Sequence, residues 1–396
     1  MTFAAGCELT VNHYALPGQL FVGAGAATKL LPESQRLGAR HVFVLADPGV
    51  VRAGLLDPLA ASLREGGLPF TVCEDVLPNP DNVTVDRVVR QCAASGANLI
   101  VGLGGGSALD IAKAMRLPLA GGGGVDEYAY RVAGKGRTFP TSVLPLLAIP
   151  TTAGTGSEAT PWSVITDLKA HYKFGVGGTV AIPEVALVDP QLMLGLPPFL
   201  TAATGMDALS HLIEAFVSTN INPLLDPLIL RGIELAGAQL LAAVRHGTDL
   251  TARAAMAQAA LLGGIAISSN WLGACHSLSH QLSSFADVQH GLANAIMLPH
   301  QMRYSLPAAL ARYAQIGVAL GSPAKGTAQK RAEFAVERVA ALARDCGLPL
   351  RLRDAGVDAA LLAPMAHSAF VNDSNHTTNP RPCTEASLAE MYHAAF

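Results

Sequence analysis

Residues 98–115, NLIVGLGGGSALDIAKAM, decide the fold. Leu99 to Leu103 is an uninterrupted apolar run of the kind a strand buried on both faces requires; Gly104, Gly105, Gly106 and Ser107 break it, and from Ala108 onward the residues favour helix. A strand, a glycine turn and a helix N-terminus, in that order, leave bare backbone N–H groups and a positive helix end where a pyrophosphate can approach. Ordinary packing turns share the pattern, so its surroundings matter. Upstream, HVFVLADPG (41–49) reads as a second buried strand ending in Asp47. A carboxylate there can accept hydrogen bonds from an adenosine ribose, which favours NAD over NADP because a 2′-phosphate would face a negative charge. Asp47 reads equally well as a turn residue before Pro48. Gly23-Ala-Gly25-Ala-Ala-Thr28 imitates a dinucleotide fingerprint, but it follows only a short apolar stretch and lacks its third glycine.

Outward from this stretch, the first half alternates strand-like runs, FTVCEDV (70–76), LPLLAIP (144–150) and VALVDP (185–190), with helical ones such as TVDRVVRQCAAS (84–95). That alternation predicts a parallel sheet with covering helices. Thr151, Thr152 and Thr155 follow LPLLAIP, where they can line a ligand cleft or serve as turn and capping residues. Gly121 to Gly124 reads as a surface connector. After Asp189 the chain becomes long alanine- and leucine-rich stretches, with Pro190, Pro197 and Pro198 at the changeover. The expected fold is therefore α/β plus all-α: a Rossmann-like parallel-sheet domain over residues 1–190, then an all-helical metal and substrate domain over 191–396, with a cleft between them.

The helical half carries the second chemical signal. In TGMDALSHLIEAF (204–216), Asp207 and His211 are four apart, so both project from one helix face about a turn apart. CHSLSHQLSSFADVQHG (275–291) repeats the spacing with His276 and His280 and adds His290. Any one of these residues reads as an ordinary buried or surface polar group; two such pairs in an apolar half point to a divalent ion. One carboxylate and three neutral imidazoles, from Asp207, His211, His276 and His290, suit Fe²⁺ or Zn²⁺, with His280 beside them.

GGGSALDIAK, PTTAGTGSEAT (150–160), VDP (188–190), TGMDALSHLIEAF and HGLANAIMLPH (290–300) occur in an order, running from FVGAGA near residue 21 to TNPR (378–381), that resembles the iron-containing (group III) alcohol dehydrogenases. The resemblance implies a metal on Asp207, His211, His276 and His290, with His280 lining the cleft near the nicotinamide. It implies NAD contacts from Asp47, Asn79, Gly105, Gly106, Ser107, Asp110, Thr151, Thr152, Thr155 and Lys173. It also implies hydride exchange between a small alcohol or aldehyde and NAD, assisted by a Lewis-acidic Fe²⁺ or Zn²⁺, in a dimer or larger homo-oligomer. His280, outside the metal shell of that pattern, either relays a proton or only stacks and orients. One departure concerns the substrate wall, where this chain has Asn375 and His376 and some relatives carry a cysteine.

With 396 residues, 50% hydrophobic and 14% charged, the chain can bury a large core. A net charge of −3 without a Lys/Arg run excludes nucleic acid and anionic membrane as main partners. Cys7, Cys73, Cys92, Cys275, Cys346 and Cys383 form no CxxC pair, the first residues show no secretory leader, and no uninterrupted apolar run is long enough to span a bilayer, so a cytoplasmic enzyme is expected. Residues 174–230 and 254–300 contain no Lys or Arg, poor provision for the polyanionic substrate of a dehydroquinate synthase-like lyase or the dicarboxylate of a maleylacetate reductase. Trp162 and Trp271 flank motif segments, as cleft walls or as core.

Overall fold

The structure, a computed structural model, describes residues 14–130, 136–169, 172–323 and 325–396. Cys7 and residues 1–13 of the stretch read for a leader lie outside it. Six parallel strands run in the order β1-β8-β5-β4-β2-β3: β1 (Gln19–Val22), β2 (Val42–Ala46), β3 (Phe70–Cys73), β4 (Leu99–Gly104), β5 (Leu146–Pro150) and β8 (Val185–Val188). Strands β2, β4, β5 and β8 are buried throughout, which is why they read as unbroken apolar runs. Helices α1 (Leu30–Arg36), α2 (Pro48–Arg52), α3 (Asp57–Glu65), α4 (Asn82–Ser95), α5 (Gly106–Ala114) and α6 (Arg116–Gly121) make the crossovers. Between β5 and β8 the chain adds an antiparallel hairpin, β6 (Trp162–Asp167) with β7 (Tyr172–Gly177), that the sequence reading missed.

Strand order reverses at β2 and β4: the chain leaves β2 for β3 on one side, then returns to build β4, β5 and β8 on the other. A crevice opens beyond the carboxyl ends of strands at such a switch point. Asp47 ends β2 there and the glycine turn ends β4. The imitation fingerprint at Gly23–Thr28 instead follows β1, at the sheet edge.

Beyond Asp189 the described residues contain only helices: α7 (Pro198–Val217), α8 (Asp226–Arg245), α9 (Leu250–Asn270), α10 (Ala274–Ala286), α11 (His290–Ser305), α12 (Leu310–Ala319), α13 (Ala328–Asp345), α14 (Leu362–Val371) and α15 (Glu385–Ala395). Helix α7 is buried almost all round and forms the axis against which α8, α9 and α11 pack. Helices α8 and α9 are long and apolar enough to cross a membrane by length and composition alone, and both pack within this bundle.

Glycines join the two halves. A Cβ on Gly264 of α9 would run into the Gly156 carbonyl oxygen, and one on Gly291 of α11 into the Ala203 carbonyl oxygen. The segment 151–157 after β5 therefore lies directly on α9, and α11 directly on α7, spacings that only glycine allows. The five described cysteines are free thiols.

Candidate active site

Helix α7 presents Asp207 and His211, α10 presents His276 and His280, and α11 begins at His290. One Asp207 oxygen, Oδ1, lies 3.6 Å from His290 Nε2, 3.8 Å from His211 Nε2 and 3.9 Å from His276 Nε2. Asp207, His276 and His290 form the compact group, with ligand atoms within 4.8 Å of one another; His211 joins it beside Asp207, its ring stacked on that of His276 at 4.7 Å. Two ligands held about 2.1 Å from an ion at the tetrahedral angle lie roughly 3.4 Å apart, so the three Asp207–histidine separations are within a few tenths of an ångström of those around a metal.

The surrounding hydrogen bonds fit that ion. His276 Nδ1 lies 2.5 Å from the buried Glu214 carboxylate, which also accepts from the Cys275 N–H at 2.8 Å. His276 therefore donates from Nδ1 and turns the Nε2 lone pair toward Asp207. Burial first, then the neighbouring imidazoles, holds the His276 pKa well below its ordinary value; burial and the Lys173 ammonium do the same for His290, so both are neutral donors. Asn294 Nδ2 lies 2.7 Å from Asp207 Oδ1 and 3.2 Å from both His276 Nε2 and His290 Nε2. One amide has two N–H groups for those three acceptors. Around Asp207 Oδ1 and the three Nε2 atoms the lone pairs outnumber the donors, as a cation site requires. Nδ1 of His211 and of His290, which carries the proton when Nε2 is the ligand atom, is buried without a partner among the described residues.

His280 stands beside this group, its ring stacked on His290 at 5.4 Å. Its Nδ1 lies 2.7 Å from Asp373 Oδ2, and Asp373 Oδ1 accepts from Ser277 Oγ and the Asn375 N–H, each at 2.8 Å. Burial works against the Asp373 carboxylate, but His280 and these donors outweigh it and bring its pKa down to about 2. Glu214, Asn294 and Asp373 were missed in the sequence. Glu214 lies three and seven residues past His211 and Asp207 on the same helix face, and Asn294 one turn past His290, so both had a local signal.

At the switch point, Gly104 has φ +153° and a Cβ there would press on Ala108 Cβ at 2.8 Å. A Cβ on Gly105 would meet Thr152 Cγ2 at 3.3 Å, and one on Gly106 would meet Thr155 Cγ2 at 2.5 Å. Helix α5 starts here with Gly105 as N-cap and no side-chain cap, so the first-turn N–H groups of Gly106 and Ser107 are left for a ligand. These observations fit a pyrophosphate. Asp47 Oδ1 caps α2 by accepting from Gly49 and Val50 N–H at 2.7 and 3.3 Å, which is the turn role; the second oxygen takes no part in these bonds. Lys173, on β7, donates to Asn79 Oδ1 at 2.9 Å. Burial pulls its pKa down to about 8 against the opposing pull of Asp110, Asp207, Asp287 and Asp373. Asp110 is otherwise engaged: its oxygens accept from Ser157 Oγ at 2.6 Å and the Val164 N–H at 2.9 Å, bracing α5 against the loop after β5 and against β6.

Family models agree with this arrangement. The model described as "Iron-containing alcohol dehydrogenase" matches residues 17–190, and "Fe-containing alcohol dehydrogenase family, C-terminal" matches residues 201–396. The chain belongs to the iron-containing alcohol dehydrogenase family. A 1,3-propanediol dehydrogenase of Citrobacter freundii is 37% identical over 97% of this chain and 98% of its own length. Long-chain-alcohol dehydrogenase 1 of Geobacillus thermodenitrificans is 35% identical over 98% of each chain. The crystal structure of a 1,3-propanediol oxidoreductase superposes with a TM-score of 0.94 at 35% identity, covering 98% of this chain and 100% of that one.

Within this iron-containing alcohol dehydrogenase, Arg381 of the TNPR segment and Lys173 have different surroundings. Arg381 lies exposed, its guanidinium 4.2 Å from the centre of the Tyr304 ring and bonded to the Tyr304 carbonyl. Lys173 is the cation that faces the metal group. Asn375 and His376 form the 3-10 turn Asn375–Thr378 against α10, where the His376 N–H donates to Ser277 Oγ, tying this turn to the Asp373–His280 pair.

Proposed function

We propose that this family member is an NAD-dependent alcohol dehydrogenase and aldehyde reductase for small neutral alcohols and diols. The observation that carries the reading is the convergence of three imidazole Nε2 atoms on one Asp207 oxygen, in a fold whose glycine turn leaves a helix N-terminus bare. Asp207, His211, His276 and His290 would hold the ion, Fe²⁺ in our assignment, although the donor set accepts Zn²⁺ as well. When bound, such an ion supplies Lewis acidity that lowers the pKa of an alcohol hydroxyl, while NAD supplies the hydride acceptor.

The remaining work falls to side chains. Glu214 fixes the tautomer and direction of His276. Asp47, the 104–106 turn, Ser107 and the threonines 151, 152 and 155 seat the dinucleotide, and Asn79 with Lys173 borders it on the hairpin side. His280 takes up the hydroxyl proton at Nε2, and its bond from Nδ1 to Asp373 stabilises the imidazolium so formed. Among the described residues, Lys173 is the lysine whose charge acts on Asp207 and Asp373, and residues 174–230 and 254–300 hold no Lys or Arg, which supports a neutral substrate over a dicarboxylate or a phosphorylated one. We assign a two-domain division near residue 190, a cytoplasmic location and a homodimer; the exposed Leu16 and Val22 beside edge strand β1 offer surface for a second copy.

Absorbance at 340 nm with Fe²⁺ or Zn²⁺, NAD(H) and a panel of propanal, lactaldehyde, 1,3-propanediol and maleylacetate tests the reading. Net NADH turnover on the neutral compounds, lost in His276→Ala and His290→Ala together with bound metal, is expected. A clear preference for maleylacetate, or full turnover in a metal-free variant, rules it out.

A further inference from the structure

The hairpin β6–β7 has two faces. Ile165, Phe174 and Val176 look into the core of the α/β half, with Ser163 buried beside them. Trp162, Val164 and Thr166 share the opposite face with their cross-strand partners Gly177, Gly175 and Lys173. This second face borders the cleft, because β7 packs on α10, the helix that carries His276 and His280, while the first face is taken up by the core. From Lys173 to the register of Trp162 is four residues of strand, roughly 13 Å. Between them Gly175 carries no side chain, and a Cβ built there meets no atom of the described residues within 4 Å. An open strip thus begins beside the metal group and ends on a tryptophan.

Trp162 is part of a cluster. Its ring centre lies 5.7 Å from Trp271 and 4.8 Å from Tyr130, and Tyr130 lies 6.2 Å from Trp271. Trp271 follows α9 in the helical half, whereas Tyr130 and Trp162 belong to the α/β half, so the rings meet across the cleft at contact distance. The Trp271 backbone has φ +64° and ψ −172°, a region populated almost only by glycine. It is strained five residues before His276. Nearby, a Cβ on Gly273 would sit 2.7 Å from Glu214 Oε1, so this segment is pressed against the support of the metal group itself.

We propose that Tyr130, Trp162 and Trp271 form the end wall of the substrate pocket and set the length of alcohol it accepts. Short unbranched alcohols lie along the Gly175 strip with their tails toward the indoles, and long-chain alcohols are excluded. The inference rests on the dehydrogenase reading above and names the substrate class within it. Steady-state rates on a ladder from ethanol to 1-octanol test it in the native holoenzyme, in Trp162→Ala and in Trp271→Gly, the last placing glycine where the backbone already needs one. Native kcat/KM should fall toward 1-octanol, and the ratio of 1-octanol to ethanol should rise at least about tenfold in either variant. An unchanged ratio in both variants, with or without a lower melting temperature, overturns the wall, as does a native preference for 1-octanol. Native protein inactive on every alcohol would count against the dehydrogenase reading instead. Calorimetric binding of ethanol and 1-octanol to the NAD-loaded native and Trp271→Gly proteins then decides the wall on its own, with an unaltered preference overturning it.

Discussion

Replacing Glu214 by Gln is the sharpest test of how the metal group is built. Glu214 Oε1 accepts from the Cys275 N–H at 2.8 Å and Oε2 from His276 Nδ1 at 2.5 Å, and these residues are buried. Glutamine offers one oxygen and one NH₂, so in either orientation a donor faces a donor. One hydrogen bond is lost and one buried N–H is stranded, which costs about 1–3 kcal/mol. If the amide turns toward His276, the imidazole escapes the clash by moving its proton to Nε2, the atom needed for the metal. At 1.4 kcal/mol per decade, metal affinity should fall by about 5- to 150-fold, while NAD affinity stays within about twofold because the glycine turn is untouched. Metal-stripped protein titrated with Zn²⁺ against a chromogenic chelator measures this directly. A dissociation constant for Glu214→Gln within about twofold of the native value would refute the orienting role of the carboxylate.

Three further outcomes are expected. Asp47→Gly should narrow or reverse a preference for NAD(H) over NADP(H), read as the ratio of the two kcat/KM values; equal values in the native enzyme would sink the ribose assignment. Asp373→Asn should retain metal but lower kcat. The Asp373 pKa falls from 3.8 to about 2 on folding, so its carboxylate contributes about 2 kcal/mol that is fully present above pH ~4 and disappears as pH falls through 2. Urea melts of both proteins between pH 2 and 7 should accordingly show a gap that is constant above pH ~5 and narrows steadily below pH ~4, and a constant gap down to pH 2 would contradict the pairing. Gly264→Ala, whose new methyl meets the Gly156 carbonyl, should lower stability by about 1–3 kcal/mol in thermal melts; a neutral substitution would show that α9 and the 151–157 segment can separate freely.

What the sequence disclosed was local. The apolar run, glycine turn and helix start at 99–108 are consecutive, and Asp207/His211 and His276/His280 sit one helical turn apart, so the fold class and the gathering of Asp207 with these histidines were both readable from short-range spacing. The hairpin was within reach too, because WSVITD and YKFGVG alternate in period two, but no turn residue pair marked it. Asp373 was not readable. It meets His280 across 93 residues, and nothing near position 373 says which helix the carboxylate will face. Cleft walls fail for the same reason: the meeting of Trp162 with Trp271 comes from the packing of the helical half on the α/β half, and neither residue carries it alone.

Asn294, with two N–H groups spread over three acceptors, also makes the helical half a gauge of its own loading. A cation that binds only the folded chain relieves that shortage and adds RT ln(1 + [M]/Kd) to stability, about 2.7 kcal/mol at a hundredfold excess over Kd. Because α7, α10 and α11 share this centre with the main hydrophobic core, the melting temperature should climb with free metal along a binding curve. A simple thermal scan across a metal buffer series then reads occupancy in the absence of any substrate, and the rank order of ions in that scan states which metal the site prefers.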